Sequence, residues 1–173
     1  MLVKDFIMKE IPVLKSFDTG EFAPSVKENA SVYEALALIA RFQLSILPVV
    51  NTEGEYIGCL TSEKIIEVLA ELCHAEGVGS VLVLELLPQD YSLTDIARLV
   101  ESNQAHVLSL FSYLEKKTGR LQVIIKVDLE DASPIVRSFE RFNYKVLYAF
   151  MEKGVIDDLL QQRVMELVHY MNI

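Results

Sequence analysis

The 173-residue sequence lacks a long apolar run: nothing in it approaches the roughly 20 residues that a membrane-crossing helix needs. The most apolar stretch, VLVLELL at 81–87, is interrupted by Glu85 and reads as a buried strand. The opening MLVKDFIMKEIP carries acids within its first ten residues and has neither the apolar stretch nor the cleavage site of a secretory signal, so a cytoplasmic location is expected. Positive charge is scarce as well, with 16 Lys and Arg against 25 Asp and Glu, a net charge of −9. That balance repels phosphate backbones and anionic lipid, so neither nucleic acid nor membrane is an expected partner. A local cluster of backbone amides can still hold a nucleotide phosphate on an acidic protein.

Chemistry-bearing patterns are also sparse. The two cysteines, Cys59 and Cys73, have no CxxC spacing and lie in apolar contexts, which predicts buried thiols. His74, His106 and His169 are far apart, none with the i, i+4 spacing of a helical metal site. No G-x-S-x-G, P-loop or G-x-G-x-x-G is present. The acidic pairs Glu130-Asp131 and Asp157-Asp158 fall at expected helix starts, where the helix dipole favours them. The expectation is a protein that is not an enzyme and holds no metal.

What is present is a hydrophobic fraction of 51%, enough for the core of one ordinary domain or two small ones. Two segments with different element orders meet near residues 74–79, HAEGVG, a stretch with two glycines and no apolar periodicity that reads as a short linker. The first segment opens with a short helical turn and an extended IPVLK, and a short strand is expected over 22–26. Ser31 and Glu34 form a capping box for a helix whose stripe is Val32, Ala35, Leu36, Ile39 and Phe42. A strand at 47–50, a polar NTEGE turn with Gly54 and a return strand at 56–60 follow. Thr61 then caps a helix carrying Ile65, Ile66, Leu69 and Leu72.

The second segment predicts strand 81–87, helix 93–102, strands 106–114 and 121–128, helix 133–141 and strand 144–150. Ser92 with Asp95 resembles a capping box, and Ser133-Pro134 places proline at the first helical position. This βαββαβ order is that of the ferredoxin-like arrangement, whose sheet edges invite pairing with a second copy. A last helix over about 155–171 carries Ile156, Leu159, Leu160, Val164, Leu167, Val168 and Met171, a stripe that must pack on its own domain or on a partner subunit.

SVYEALALIARFQLSILPVVNTEGEYIGCLTSEKII resembles one CBS motif: a capped helix, the LPVV strand, the polar glycine turn, the YIGCL strand and a Thr at the next helix start. CBS motifs normally work in pairs, and their cleft commonly takes AMP, ATP or S-adenosylmethionine. The resemblance places an adenosyl ligand, with ADP a further candidate, against Ser25 and Val26, the backbone of Ser45, Ile46 and Leu47, and Thr61. The family's ribose-binding acid stands three residues after the Thr. Here that position is Lys64, which cannot accept ribose hydroxyls but can meet a phosphate. The alternative reading makes Thr61 a helix cap and Lys64 a solvated side chain. Residues 1–21 look like the opening of a partner motif that passes directly into FAPSV; if the rest of that repeat is truly absent, either a second chain completes the cleft or the site does not exist.

SVLVLELLPQDYSLTDIARLVESNQAHVLSL and the elements after it are similar to an ACT domain, a class that associates through its sheets and binds amino acids between them. Effector-binding members carry a glycine in the first strand–helix turn. The turn here, 87–92, has none, and Tyr91 is expected to crowd that site, which favours dimerisation over amino-acid sensing. The combination resembles the acetoin-utilisation type of bacterial protein, and IDDLLQQRVMELVHYMNI resembles the tail of CBS-domain proteins from Bacteroides-like bacteria.

The expected fold class is therefore α+β, a CBS-type βαββα unit followed by a ferredoxin-like (ACT-like) domain and a C-terminal helix. The expected divisions are 1–21 (partial CBS opening), 22–75 (CBS motif), 80–151 (ACT-like domain) and 152–173 (packing or dimerisation helix). The expected protein is a homodimeric regulatory module with no cofactor beyond a regulatory adenosyl ligand. The competing readings are an oligomerisation protein with a vestigial cleft and an amino-acid sensor.

Overall fold

A computed structural model describes residues 1–8 and 24–151 of the chain. The expected IPVLK extension, the first two residues of the expected strand at 22–26, Asp157-Asp158, His169 and the expected C-terminal helix lie outside these residues. The architecture is mixed α+β with two sheets, in two units, Met1–Glu71 and Leu72–Ile173.

In the first unit a 3-10 turn, Val3–Phe6, precedes strand β1 (Val26–Lys27), helix α1 (Val32–Phe42), strands β2 (Ile46–Val50) and β3 (Tyr56–Thr61) and helix α2 (Ser62–Leu72). Helix α1 starts where Ser31 Oγ accepts the Glu34 N–H at 3.3 Å, and it stops at Gln43, whose φ of 51° is left-handed. Its buried residues are Val32, Ala35 and Ile39. Phe42 departs from the expected stripe: it is 49% exposed in the last helical position, with the Arg41 guanidinium 5.4 Å from its ring centroid. In α2 the buried residues are Ile65 and Val68, while Ile66 is 65% exposed. One residue is a turn of about 100°, enough to carry an adjacent isoleucine off the core face.

Strand β2 pairs antiparallel with β3 and parallel with β1, giving the order β1-β2-β3. In the connecting turn Asn51 Oδ1 accepts the N–H groups of Glu53 and Glu55 at 3.0 and 2.8 Å, and Gly54 takes a φ of 87°. Residues 1–8 belong to this unit. Met8 and Cys59 exchange backbone hydrogen bonds of 3.0 and 3.3 Å, and Val3, fully buried, donates to the Ala30 carbonyl. Gly58 permits that crossing, since a Cβ there would fall 2.3 Å from Ile7 Cγ2. Cys59 is buried as expected, and burial pushes its thiol pKa up. Cys73 is only half-buried.

The second unit runs β4 (Ser80–Leu86), a 3-10 turn at Pro88–Asp90, α3 (Leu93–Glu101), β5 (Val107–Leu114), β6 (Leu121–Val127), α4 (Ser133–Arg141) and β7 (Lys145–Phe150). Its four strands are all antiparallel to their neighbours, in the order β5-β6-β4-β7. Alternation along the strands turns Leu82, Leu84, Val123 and Ile125 to one face, where they form a single core with Ile96, Leu99 and Val100 of α3 and Ile135, Val136 and Phe139 of α4. Ser92 Oγ caps α3 by accepting the Asp95 N–H at 3.2 Å. At α4 the Asp131 carboxylate accepts the Ser133 N–H at 2.9 Å, and the helix starts at Ser133, which puts Pro134 at the second helical position and not the first. A missing N–H is harmless there, because the opening amides have no intrahelical partner.

Candidate functional site

Sequence reasoning names seven contact residues in the first unit, and five of them meet at one end of the β2–β3 pair. Ile46 pairs with Thr61 and Leu47 with Leu60, while the Ser45 carbonyl accepts the Ser62 N–H at 2.9 Å. Thr61 Oγ1 accepts the Lys64 N–H at 3.2 Å and so caps α2. Ser25 and Val26 are not brought there. Val26 pairs with Val49, three residues along β2 from Ile46, or about 10 Å at a strand's rise. The Val26 and Leu47 side chains are sealed in the core at 2% and 0% exposure, so only their backbones can face a ligand. Ser25 and Ser45 are exposed, and Ile46, Thr61 and Lys64 are half-buried.

Lys64 is half-buried and has a partner on its own helix. Its Nζ lies 2.7 Å from Glu67 Oε2 one turn along α2, and that carboxylate raises the ammonium pKa. The residue that sequence reasoning passed over is Glu63. Hydrogen bonding from its own backbone N–H, then from Thr61 and Ser62, holds its carboxyl below the usual carboxylate range. An acid in the first turn of a helix folds back on the unpaired amides there. The spacing T-x-E carries that signal, one residue short of the T-x-x-D pattern.

Residues 3–71 match the family model of the CBS domain. A CBS domain is found here. CBS domains are generally regulatory ligand-sensing modules rather than catalysts, and they often bind adenosyl ligands and form dimers. No curated protein matches the chain. Within the CBS domain the grouping of Ser45, Thr61, Glu63 and Lys64 supplies a hydroxyl pair, an acceptor and a cation at one sheet end.

A second candidate lies in the other unit, a cleft of about 410 Å³, within the few-hundred-Å³ range of small-molecule sites. It is built by the end of β4, the turn after it, Arg120 before β6 and the α4–β7 connection. Glu85 and Lys145 pair across it at 2.6 Å, and Asp90 and Asn143 line it. Tyr91 is not part of this cleft's lining and packs against the core. Tyr144 is in the wall, its phenol pKa raised by burial, with its ring edge-on to Phe139 at 5.6 Å.

Among the described residues no group of three or more His, Cys, Asp or Glu is placed to hold a metal ion. His106 is exposed, its Nδ1 2.7 Å from Asp128 Oδ2. Among the described residues no helix is long and apolar enough to cross a membrane.

Proposed function

We infer that the chain is a cytoplasmic, non-enzymatic regulatory module whose CBS domain binds an adenine nucleotide or related adenosyl ligand and whose second unit makes it a homodimer. The observation that carries the reading is the Glu63 carboxylate held beside the Thr61 hydroxyl where β3 enters α2. A carboxylate accepts hydroxyl donors, so this pair offers ribose 2′- and 3′-hydroxyls the acceptor that Lys64 does not. Lys64 stands one turn away for a phosphate, at the cost of its bond to Glu67. A second chain completes the cleft that residues 1–8 and 24–71 build from one side.

The strand order β5-β6-β4-β7, with both helices on one face, supports a ferredoxin-like, ACT-like second unit of the acetoin-utilisation type found in bacteria. Among the described residues the sheet's edges are β5 and β7, and a second copy would pair there.

Thermal shift with AMP, ADP, ATP and S-adenosylmethionine tests the reading. A ligand at a hundred times its dissociation constant stabilises the folded state by about 2.7 kcal/mol. A nucleotide-dependent rise that Glu63→Gln weakens about tenfold in affinity, some 1.4 kcal/mol, supports it. No response to any nucleotide overturns it in favour of a vestigial cleft. The 410 Å³ cleft, with Arg120 for a carboxylate and Asp90 for an ammonium, favours a second reading as an amino-acid sensor. A rise with amino acids alone selects that one.

A further inference from the structure

Helix α2 carries its acids on one side. Glu63, Glu67 and Glu71 recur at four-residue spacing, and Lys64 falls beside the first of them. The three carboxylates are not equivalent. Glu63 is turned to the helix start, where its own backbone N–H, Thr61 and Ser62 donate to it. Glu71 reaches Lys64 as a charge and not as a bonding partner. Among the described residues Glu67 alone forms an ion pair with Lys64, Nζ to Oε2 at 2.7 Å, the lysine side chain 35% and the glutamate 62% exposed.

That pair stands between two arrangements. In a helix each Cα–Cβ bond tilts toward the N-terminus, so Glu67 reaches back over the turn that carries Lys64, while Lys64 itself leans toward Thr61. The flexible lysine stem can hold its ammonium against Glu67, as observed, or carry it to the start of α2. The observed state is shallow, because an exposed ion pair is worth little. A phosphate monoester carries a charge of about −1.5 to −2 at neutral pH, more than one carboxylate can offer. Lys64 also lies in the first turn of α2, at the positive end of the helix dipole, where a nearby anion offsets the cost of its charge.

We propose that Glu67 is a positioning residue that sets the preference of the CBS site for phosphate. It holds the Lys64 ammonium one turn along α2 until the phosphate of an adenosyl ligand takes its place. That role rests on the adenosyl site of Thr61, Glu63 and Lys64 inferred above. A phosphate-bearing ligand must break the Lys64–Glu67 pair before it gains the ammonium, whereas a phosphate-free adenosyl compound, bound through Glu63 and Thr61, is indifferent to it.

Isothermal titration calorimetry of the full chain with AMP and with adenosine, at one ionic strength, tests this exchange. Glu67→Gln should tighten AMP about two- to fivefold, the worth of an exposed ion pair, and leave adenosine unchanged. In a Lys64→Met background the same substitution should change neither ligand, since the coupling runs through the ammonium. Glu71→Gln removes an equal charge but no bond to Lys64, and should tighten AMP less than Glu67→Gln does. An AMP-to-adenosine affinity ratio that Glu67→Gln leaves unaltered overturns the proposal while the adenosyl site stands. Equal tightening with and without Lys64, or equal tightening from Glu71→Gln, also overturns it, because the effect is then one of net charge alone. If neither compound binds the parent chain or Glu67→Gln, the adenosyl site itself is absent and the role of Glu67 goes with it.

Discussion

Gly79 shows how a single position can be dictated by backbone alone. It takes a φ of +127°, and a Cβ there would fall 2.0 Å from the Val127 carbonyl oxygen. Gly79→Ala should therefore destabilise the chain by about 1–3 kcal/mol, read as a lowered urea midpoint. A midpoint unchanged from the parent's would mean that the connection relaxes freely. Two acids make a pH-dependent contribution of known sign. The His106 backbone N–H, at 2.7 Å, and then its ring hold Asp128 below the usual carboxylate range. The Ser133 hydroxyl and N–H do the same for Asp131. Because both folded pKa values lie below the unfolded value of about 3.9, their stabilisation is complete above that value and is lost as pH falls through the lowered ones. The urea midpoint should fall on acidification below about pH 4.5. In Asp128→Asn with Asp131→Asn that fall should be shallower, and an equal slope would assign the acid sensitivity to other carboxylates.

At the scale of elements, local patterning predicted where helices and strands run but not always which way they face. Helix α2 carries adjacent isoleucines, and periodicity cannot choose between neighbours that both suit an apolar stripe. The contacts chose Ile65, at 2% exposure, with Val68 one turn on, and turned Ile66 outward. Ile65→Ala should cost about 2–5 kcal/mol in denaturant unfolding. Ile66→Ala should stay within about 0.5 kcal/mol of the parent. Equal losses would show that the helix is rotated from this position. Helix α4 buries Ile135, Val136 and Phe139, spaced at helical intervals along one face. Phe139 is fully buried beneath Tyr144, and Phe139→Ala should cost about 3–5 kcal/mol, measured in the same way.

At the scale of the whole molecule, the stretch at 74–79 reads in sequence as a slack connection, yet its carbonyls are fastened to the second unit's sheet. Lys126, 8% exposed, donates Nζ hydrogen bonds to the Gly77 and Gly79 carbonyls at 2.8 and 3.3 Å. Ser109 Oγ donates to the Cys73 carbonyl at 3.1 Å. Lys126→Met should keep the buried alkyl length while removing the donor. The amides of 74–79 should then exchange with solvent faster, while those of β4 and β6 stay protected. Unchanged exchange would show that Gly79 and Ser109 suffice to hold the connection.

What the sequence by itself determined is local. Ser31, Thr61 and Ser92 cap the helices expected of them, the turn at Asn51 forms, and the strands and helices of both units lie within one or two residues of their expected limits where these are described, except the strand expected over 22–26, which forms only at Val26–Lys27. Those features depend on groups within about four residues of one another, so composition and spacing carry them. Tertiary structure alone decided the offset that separates Val26 from Thr61 and the packing of Tyr91 against the core. It also decided that Glu85 meets Lys145 across 60 residues of chain. Strand register and long-range packing are settled by contacts between distant segments, and no periodicity within either segment encodes which partner it will meet.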